Sequence, residues 1–385
     1  MIPYSRQQVS QADIDAVVEV LRGDWLTQGP AVERFERALA GYCGVASAVA
    51  VSSGTAALHL ACRALGLGPG DTLWTSPITF VASANCALYC GADVDFVDVD
   101  PRTYSLCPDA LAAKLEDAER KGRLPKVVVP VHFAGQSCDM SRIHALSARY
   151  GFRVIEDAAH ALGGRYHDAP VGGCRHADIT VFSFHPVKSI TTGEGGAVLT
   201  GDPELYRRVC ALRSHGIERD RKLWSSRDEG GWYYEQTDLG YNYRMTDIQA
   251  ALGLSQLGKL DDFVMERRHL AARYDRLLTD LPLVPPIRHE PDDSARHLYP
   301  VRLHGGADAR RRAYDALRRA GITAQVHYIP VHWQPYYQAR GFRKGDFPVA
   351  ESYYDGALSL PLYPGMEDRQ QDMVIDALRS VVGFD

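Results

Sequence analysis

The sequence lacks the features that indicate nucleic-acid binding or membrane insertion. Lysine and arginine form no long block, and the formal net charge is −5. We therefore expect no nucleic-acid partner, because binding to a phosphate backbone needs clustered positive charge. No run of about 18 apolar residues is present, and the first ten residues contain no basic segment followed by an apolar one. We accordingly expect no membrane association and predict a cytoplasmic location.

Motifs for metals and for nicotinamide cofactors are also missing. Neither CxxC pairs nor HExxH occur, so the sequence predicts no metal site. The eight cysteines are scattered. The closest two, Cys86 and Cys90, have helical spacing, and we interpret them as core residues in a reducing compartment. The turn after the first predicted strand, residues 52–55, is not GxGxxG, which argues against a nicotinamide enzyme.

The elements that are present predict an α/β protein. Between residues 46 and 200, short apolar strands alternate with amphipathic helices, which is typical of a mainly parallel sheet covered by helices on both faces. An Ala/Leu-rich helical stretch at 247–278 leads to a smaller part with further helices and a strand at 323–328. We predict a large domain over residues 1–245 and a small α+β domain over residues 246–385.

Ligands of such sheets bind beyond the carboxyl ends of the strands, and four groups of polar residues lie there. Ser53, Gly54 and Thr55 follow a strand and begin a helix, so they can bind an anion or simply cap the helix. Asp157 ends another strand, where its carboxylate needs a partner such as a protonated ring nitrogen, or serves as a helix cap. His160, three residues later, either contacts the same ligand or hydrogen-bonds within the core.

The fourth group follows the strand predicted at 179–184. Ser183 lies at the strand end, and Lys188 comes directly after it in an apolar, glycine-bounded segment. Partial burial lowers the pKa of such an amine and makes it a nucleophile toward a carbonyl, although an ordinary surface lysine has the same local sequence. Phe80, in the first turn of a helix predicted at 78–89, is either a core aromatic or a ligand contact.

Together these residues match the needs of pyridoxal 5′-phosphate (PLP). Its phosphate needs hydrogen-bond donors, its ring nitrogen needs a carboxylate, and its aldehyde needs an amine. The set Ser53-Gly54-Thr55, Asp157, Ser183 and Lys188 supplies each of these groups. The combination is far more specific than any one of its members.

The chain also resembles a known family over its whole length. In order, it contains WLTQGP (25–30), SSGTAAL (52–58), EDAAH (156–160), FSFHPVKSITTGEGG (182–196), RSHG (213–216) and GYNYRMTDIQAALG (240–253). This series is similar to the DegT/DnrJ/EryC1/StrS sugar nucleotide aminotransferases, which are fold type I PLP enzymes. The resemblance implies a mainly parallel sheet of the seven-stranded type between helices, with a smaller α+β domain.

The resemblance also implies roles for individual residues. Lys188 would form the Schiff base with the cofactor and act as the acid and base of the reaction, Asp157 would pair with the ring nitrogen, and His160 would contact the ring hydroxyl. In the family a glutamine or a histidine occupies this last position, and a histidine does not donate and accept through a single group as an amide does.

Further cofactor contacts are implied by the same motifs. Ser53, Gly54, Thr55 and Ser183 would hold the phosphate, and Phe80 would pack against the ring. Asn242 matches an asparagine that reaches the cofactor phosphate of the neighbouring subunit. The resemblance therefore implies a homodimer with shared active sites.

Two segments, HPVKSITTGEGGAV (185–198) and QVHYIPVHWQPYY (325–337), are most similar to the members that aminate UDP-linked sugars on the route to pseudaminic acid. The implied reaction transfers an amino group from L-glutamate to C4 of a UDP-linked 4-keto-6-deoxy-N-acetylhexosamine. A dTDP-linked 3- or 4-keto sugar is the alternative substrate.

His327, Tyr328 and His332 are candidates for binding the sugar nucleotide, or they belong to an aromatic core strand. Arg244 is a candidate for the glutamate carboxylate, and Arg213 is another.

Two rivals remain within PLP-binding proteins. Sugar 3-dehydrases of the family have a histidine in place of the Schiff-base lysine, and Lys188 argues against that assignment. Non-catalytic PLP-binding regulators carry an additional DNA-binding segment, and we expect none before Ile2 or after Phe384.

Overall fold

Short apolar strands form the centre of the structure. The computed structural model describes residues 1–225, 229–287 and 293–381. The strands are β1 (Ser47–Val51), β2 (Thr72–Thr75), β3 (Asp93–Phe96), β4 (Val127–Val129), β5 (Arg153–Asp157), β6 (Arg165–Tyr166), β7 (Ala169–Pro170), β8 (Ile179–Ser183), β9 (Gly196–Thr200), β10 (Ile217–Glu218), β11 (Glu235–Gln236), β12 (Leu283–Val284), β13 (Tyr299–Leu303) and β14 (Ala357–Leu360). Strand β4 is entirely valine and fully buried, as expected for a strand covered on both faces.

Seven of these strands form one sheet in the order β1-β9-β8-β5-β4-β2-β3. Strand β9 is antiparallel to both of its neighbours, and the remaining pairs are parallel. The predicted mainly parallel sheet is therefore confirmed. Because β1, β5 and β8 run in the same direction, their carboxyl ends meet at one edge, where the amino end of β9 also lies.

Helices cover both faces of this sheet and build the remainder of the molecule. They are α1 (Gln11–Arg22), α2 (Pro30–Cys43), α3 (Gly54–Ala64), α4 (Ala82–Tyr89), α5 (Pro108–Arg120), α6 (Met140–Tyr150), α7 (Pro203–Arg213), α8 (Asp247–Leu257), α9 (Leu260–Leu277), α10 (Gly306–Arg319), α11 (Pro335–Gln338), α12 (Pro348–Gly356) and α13 (Asp368–Arg379). Three short 3₁₀ helices cover Phe133–Gly135, Arg221–Leu223 and Val331–Trp333. Capping residues begin several helices; Ser53, for example, accepts a hydrogen bond from the N–H of Ala56 at the start of α3.

The C-terminal part is a smaller α+β unit with its own apolar core. Strands β12, β13 and β14 form an antiparallel sheet, and α10 and α13 pack against it. Ile2 belongs to the same core. Its N–H donates to the carbonyl of Gly321, and its own carbonyl accepts from the N–H of Thr323. The N-terminal residues thus lie in the C-terminal unit, and this α+β unit agrees with the predicted fold class.

The helical stretch predicted at 247–278 is divided into two helices. The division falls at Gly258 and Lys259, where glycine has low helix propensity and the Lys259 side chain bonds to Asp13 of α1. Helix α8 and the first half of α9 contribute to the same apolar core as α2 and β9. From this packing we propose a domain boundary within α9 rather than at 245/246.

The strand predicted at 323–328 was wrong. Only Gln325 pairs with the sheet edge, through two backbone hydrogen bonds with Ser359 of 2.7 and 3.2 Å. Beyond Gln325 the chain no longer pairs with β14. Tyr328 instead contacts His160, which follows the end of β5. None of the helices in the described ranges is sufficiently long and apolar to cross a membrane.

Candidate active site

Lys188 lies in the loop of residues 184–195 that connects β8 to β9. Its N–H donates to the carbonyl of His185 at 2.9 Å, and the N–H of Thr192 donates to the carbonyl of Phe184 at 3.0 Å. The hydroxyl of Ser5 donates to the carbonyl of Val187 at 3.2 Å. These bonds hold the backbone of the loop on both sides of Lys188. The side chain of Lys188 is half-buried.

The surroundings of Lys188 favour a neutral amine. Burial lowers the pKa of Lys188 to about 8, against the opposing effect of the negative charge of Asp157. The unprotonated amine is therefore far more populated near neutral pH than in an ordinary lysine, and it is the nucleophilic form.

Asp157 ends β5, beside Val181 of β8. Its side chain is 5% exposed. One carboxylate oxygen accepts a hydrogen bond from the Ser83 hydroxyl at 2.6 Å, and the other accepts one from the N–H of Ala159 at 3.1 Å. Both donors are neutral, and within the described ranges no lysine or arginine forms a salt bridge with Asp157. A buried carboxylate in this state is suited to a cationic ligand group.

The sequence did not identify Ser83 as a site residue. Ser83 lies in α4, 74 residues before Asp157 in the sequence. A serine three residues after Phe80 in a predicted helix does not by itself indicate a site residue. Its hydrogen bond fixes the orientation of the carboxylate.

Ser53, Gly54, Thr55 and Ser183 meet at the amino end of α3. The first N–H groups of a helix have no intrahelical acceptors, and together with the helix dipole they favour an anion. A Cβ atom added to Gly54 would lie 2.9 Å from Cβ of Ser183. One added to Gly196 would lie 2.6 Å from the carbonyl carbon of Ser53. Glycine at both positions therefore permits the close approach of β8, β9 and α3.

A Gly196→Ala substitution is expected to displace the start of α3. We expect a loss of about 1–3 kcal/mol in the free energy of unfolding, the usual effect of overpacking, together with weaker PLP binding. Gly201→Ala, just beyond the other end of β9, is the matched control, because a Cβ atom there meets nothing within 4 Å. Urea unfolding and titration with PLP measure the two quantities. Equal behaviour of the two variants would contradict this account of Gly196.

His160 forms one wall of the site with Tyr328. The Nε2 atom of His160 lies 3.1 Å from the Tyr328 hydroxyl. Its Nδ1 atom is buried without a partner among the residues that the structure describes. Burial and the nearby charge of Lys188 hold the pKa of His160 well below its usual range, so its ring is neutral. The Nδ1 atom therefore keeps an unused hydrogen-bonding position.

His327 lies beside Tyr328 at the same wall. Its Nδ1 atom is 2.9 Å from the Ser359 hydroxyl, and burial, with a smaller effect of Lys188, lowers its pKa to about 3. His327 is accordingly neutral, and it lies near Lys188.

The prediction for His332 needs correction. Its side chain is fully buried, its Nε2 atom lies 2.9 Å from a Glu351 carboxylate oxygen, and its ring packs against Phe347. This position is in the core between the two units, where a histidine has no access to a sugar nucleotide. Arg213 is similarly engaged, since it forms a 2.6 Å salt bridge with Glu36.

The remaining candidates lie on the open side of the site. Phe80 precedes α4 instead of lying in its first turn, because the Thr79 and Ser83 hydroxyls bond at 2.7 Å and hold a turn there. Phe80 is 59% exposed, and its ring lies 6.4 Å from that of Tyr328.

Asn242 is exposed and forms a backbone bridge with Ser214. Arg244 is half-buried, pairs through its backbone with Val51, and has no salt bridge in the described part of the chain.

These residues fit PLP. The cradle at the start of α3 suits a phosphate, the buried Asp157 suits a protonated ring nitrogen, the free Nδ1 atom of His160 suits the ring oxygen, and Lys188 suits the aldehyde. When bound, PLP supplies an electrophilic aldehyde and an aromatic system that accepts electrons.

Comparison with known proteins agrees with this geometry. The model of the DegT/DnrJ/EryC1/StrS aminotransferase family matches residues 7–379. Over 99% of its length the chain is 42% identical to the spore coat polysaccharide biosynthesis protein SpsC of Bacillus subtilis, covering 97% of that protein. It is 38% identical, with 99% and 98% coverage, to a UDP-4-amino-4,6-dideoxy-N-acetyl-β-L-altrosamine transaminase of Campylobacter jejuni.

A solved structure extends the likeness to the cofactor. The Spr1654 protein of Streptococcus pneumoniae, solved in its PLP form, superposes with a TM-score of 0.89 at 30% identity and covers 99% of this chain and 98% of its own. The cofactor is therefore PLP, in agreement with the site geometry. The chain is a sugar aminotransferase that belongs to the DegT/DnrJ/EryC1/StrS aminotransferase family.

Proposed function

We propose that the enzyme transfers the amino group of L-glutamate to C4 of a UDP-linked 4-keto-6-deoxy-N-acetylhexosamine on the route to pseudaminic acid. The observation that carries amino transfer is the half-buried Lys188 amine, whose pKa is lowered to about 8, near the buried carboxylate of Asp157. The sugar is supported by the named activity of the Campylobacter jejuni relative.

Lys188 has two tasks in this proposal. Its neutral Nζ atom would bond to the cofactor aldehyde with loss of water. Once freed by the incoming donor, the amine would carry the proton that leaves Cα of glutamate to the C4′ carbon of the cofactor. In the second half of the cycle it would carry a proton from that carbon to C4 of the sugar. A pKa near the working pH suits a group that must both accept and donate a proton.

Asp157 and His160 hold the two ends of the cofactor ring. The Asp157 carboxylate keeps the ring nitrogen protonated, and the Ser83 hydroxyl keeps that carboxylate in place. His160 offers its Nδ1 atom to the ring oxygen. Phe80 covers one face of the ring from the open side.

The phosphate is held by Ser53, Gly54, Thr55 and Ser183, and by Asn242 of a second copy of this chain. Asn242 is exposed, which leaves its side chain accessible to a neighbouring subunit. We therefore propose a homodimer with shared active sites. All eight cysteines are free thiols, and we propose a cytoplasmic location.

Substrate contacts come from the open side of the site. His327 and Tyr328 lie at the wall beside Lys188, where they offer hydrogen bonds and an aromatic surface to the sugar nucleotide. Arg244 lacks a salt bridge within the described residues and is the proposed partner of the glutamate carboxylate.

A second candidate is amination of another nucleotide-linked keto sugar, such as a dTDP-linked one. The chain is 42% identical to SpsC but 38% identical to the Campylobacter jejuni transaminase. Identity over the whole chain therefore does not favour the transaminase over the spore coat polysaccharide protein.

The substrate is tested by glutamate-dependent amination of UDP- and dTDP-linked 3- and 4-keto sugars, with 2-oxoglutarate release as the readout. We expect the highest kcat/KM for the UDP-linked 4-keto-6-deoxy-N-acetylhexosamine, by at least about tenfold, because a site that hydrogen-bonds a substrate group rejects analogues lacking it. Faster amination of a dTDP-linked sugar would replace this assignment with the second candidate. PLP-loaded protein without glutamate is the blank.

A further inference from the structure

Tyr328 makes the only hydrogen bond of the His160 side chain within the described ranges. The Tyr328 hydroxyl lies 3.1 Å from Nε2 of His160, and the two rings are inclined by 23°. The Tyr328 ring also packs against Phe133. Because the two residues are 168 positions apart in the sequence, the contact joins the small unit to the end of β5.

The chemistry of the two groups determines which one donates. Burial, reinforced by the charge of Asp157, raises the pKa of Tyr328, so the hydroxyl keeps its proton. The neutral imidazole of His160 has one N–H and one unprotonated nitrogen that accepts. A phenol is the stronger donor and an imidazole nitrogen the stronger acceptor, so the hydroxyl donates to Nε2. The single ring proton of His160 is then on Nδ1.

The Nδ1–H group has no acceptor among the described residues, although it is buried. The nearest ring is that of His297, 4.5 Å away between centroids. The Nδ1 atom of His297 is also buried and without a partner in the described part of the chain, so the two rings do not satisfy each other. A buried donor without an acceptor is uncommon, and Lys188 lies close enough for its charge to lower the pKa of this ring.

We propose that Tyr328 is a positioning residue that fixes His160 in the Nδ1–H tautomer, so that His160 serves as a pure donor to the ring oxygen of the cofactor. This inference rests on the proposed role of His160 at that oxygen. It adds a difference between the two residue types of this position: an amide can rotate to present its donor, whereas a histidine needs a partner that selects the tautomer.

The tautomer is measured directly by long-range ¹H–¹⁵N NMR on the full chain labelled with ¹⁵N-histidine, with and without PLP. We expect the signals of a protonated Nδ1 and an unprotonated Nε2 for His160 in the wild type, assigned by their loss in His160→Gln. In Tyr328→Phe we expect a shift toward the Nε2–H form. Tyr353→Phe is the control, because the Tyr353 hydroxyl donates to the carbonyl of His327 instead. A wild-type His160 with a protonated Nε2 overturns the inference.

The cofactor provides a second readout in folded variants. We expect Tyr328→Phe to weaken PLP binding by roughly three- to tenfold, the usual effect of one lost hydrogen bond, and to shift the pH midpoint of the PLP absorbance upward. In the His160→Gln background the same substitution should change neither quantity. An equal effect in both backgrounds shows that Tyr328 acts without His160 and overturns the inference. If PLP does not attach to Lys188 at all, the proposed function fails, but the NMR result in the PLP-free chain still decides the tautomer.

Discussion

Replacement of Lys188 by alanine is expected to abolish covalent cofactor attachment and to reduce turnover by roughly 10³-fold or more, the range expected when an acid/base group is removed. The side chain is held by a loop whose backbone bonds do not involve its amine, so the fold is expected to persist. Borohydride treatment followed by peptide mass spectrometry should show PLP on Lys188 of the wild type and none in the variant. Release of 2-oxoglutarate from glutamate measures turnover.

Lys121→Ala is the matched control for this experiment. Lys121 is an exposed lysine that pairs with Asp117 at the end of α5, and its loss should leave both readouts unchanged. A Lys188→Ala protein with wild-type turnover would refute the mechanism. A Lys188→Ala protein that binds PLP without turnover agrees with the mechanism, because the residues at the start of α3 and Asp157 still hold the cofactor.

Replacement of Asp157 by asparagine is expected to reduce turnover by roughly 10²–10³-fold, as when one preorganised electrostatic partner is removed. The two side chains have almost the same shape, and the bonds from Ser83 and Ala159 leave room for an amide oxygen. The charge that keeps the ring nitrogen protonated is lost. Stopped-flow measurement of the glutamate half-reaction separates this loss from changes in sugar binding.

The same substitution should move the pH dependence of cofactor attachment. Lys188 is reactive when unprotonated, so attachment to the wild-type chain should accelerate as pH rises through about 8. The Asp157 carboxylate raises the pKa of Lys188, and its loss should therefore shift the midpoint to lower pH. Asp168→Asn, an exposed carboxylate in the turn between β6 and β7, is the control. A midpoint that moves upward would show that Asp157 does not act on Lys188 through its charge.

The sequence was sufficient to predict the sheet and the residues along its edge. Strand β4 is a continuous apolar run, and β8 is rich in β-branched and aromatic residues. Because the carboxyl ends of parallel strands meet at one edge, the amino-acid pattern predicts that Ser53, Asp157 and Ser183 lie at the same edge. Lys188 gained its significance from those neighbours, since an isolated lysine in a loop is ordinary.

The sequence pattern could not predict side-chain contacts between distant parts of the chain. The bond from Ser83 to Asp157 and the bond between Tyr328 and His160 depend on how α4 and the small unit approach β5. His332 is buried beside Glu351 and near Phe96 of β3, so a residue predicted at the substrate is in the core instead. A local pattern gives the type of an element but not which side chains of distant elements become neighbours.

The placement of Ile2 affects how the protein is made. Ribosomal synthesis proceeds from the N-terminus, and domains generally begin to fold in that order. Ile2, however, bonds to Gly321 and Thr323 of the C-terminal unit, so it reaches its buried position only after these residues have been translated. Ser5, which holds the backbone beside Lys188, follows Ile2 closely. The bond between Ser5 and the loop of residues 184–195 is therefore expected to form late in biosynthesis, when the C-terminal unit holds the segment that contains Ser5.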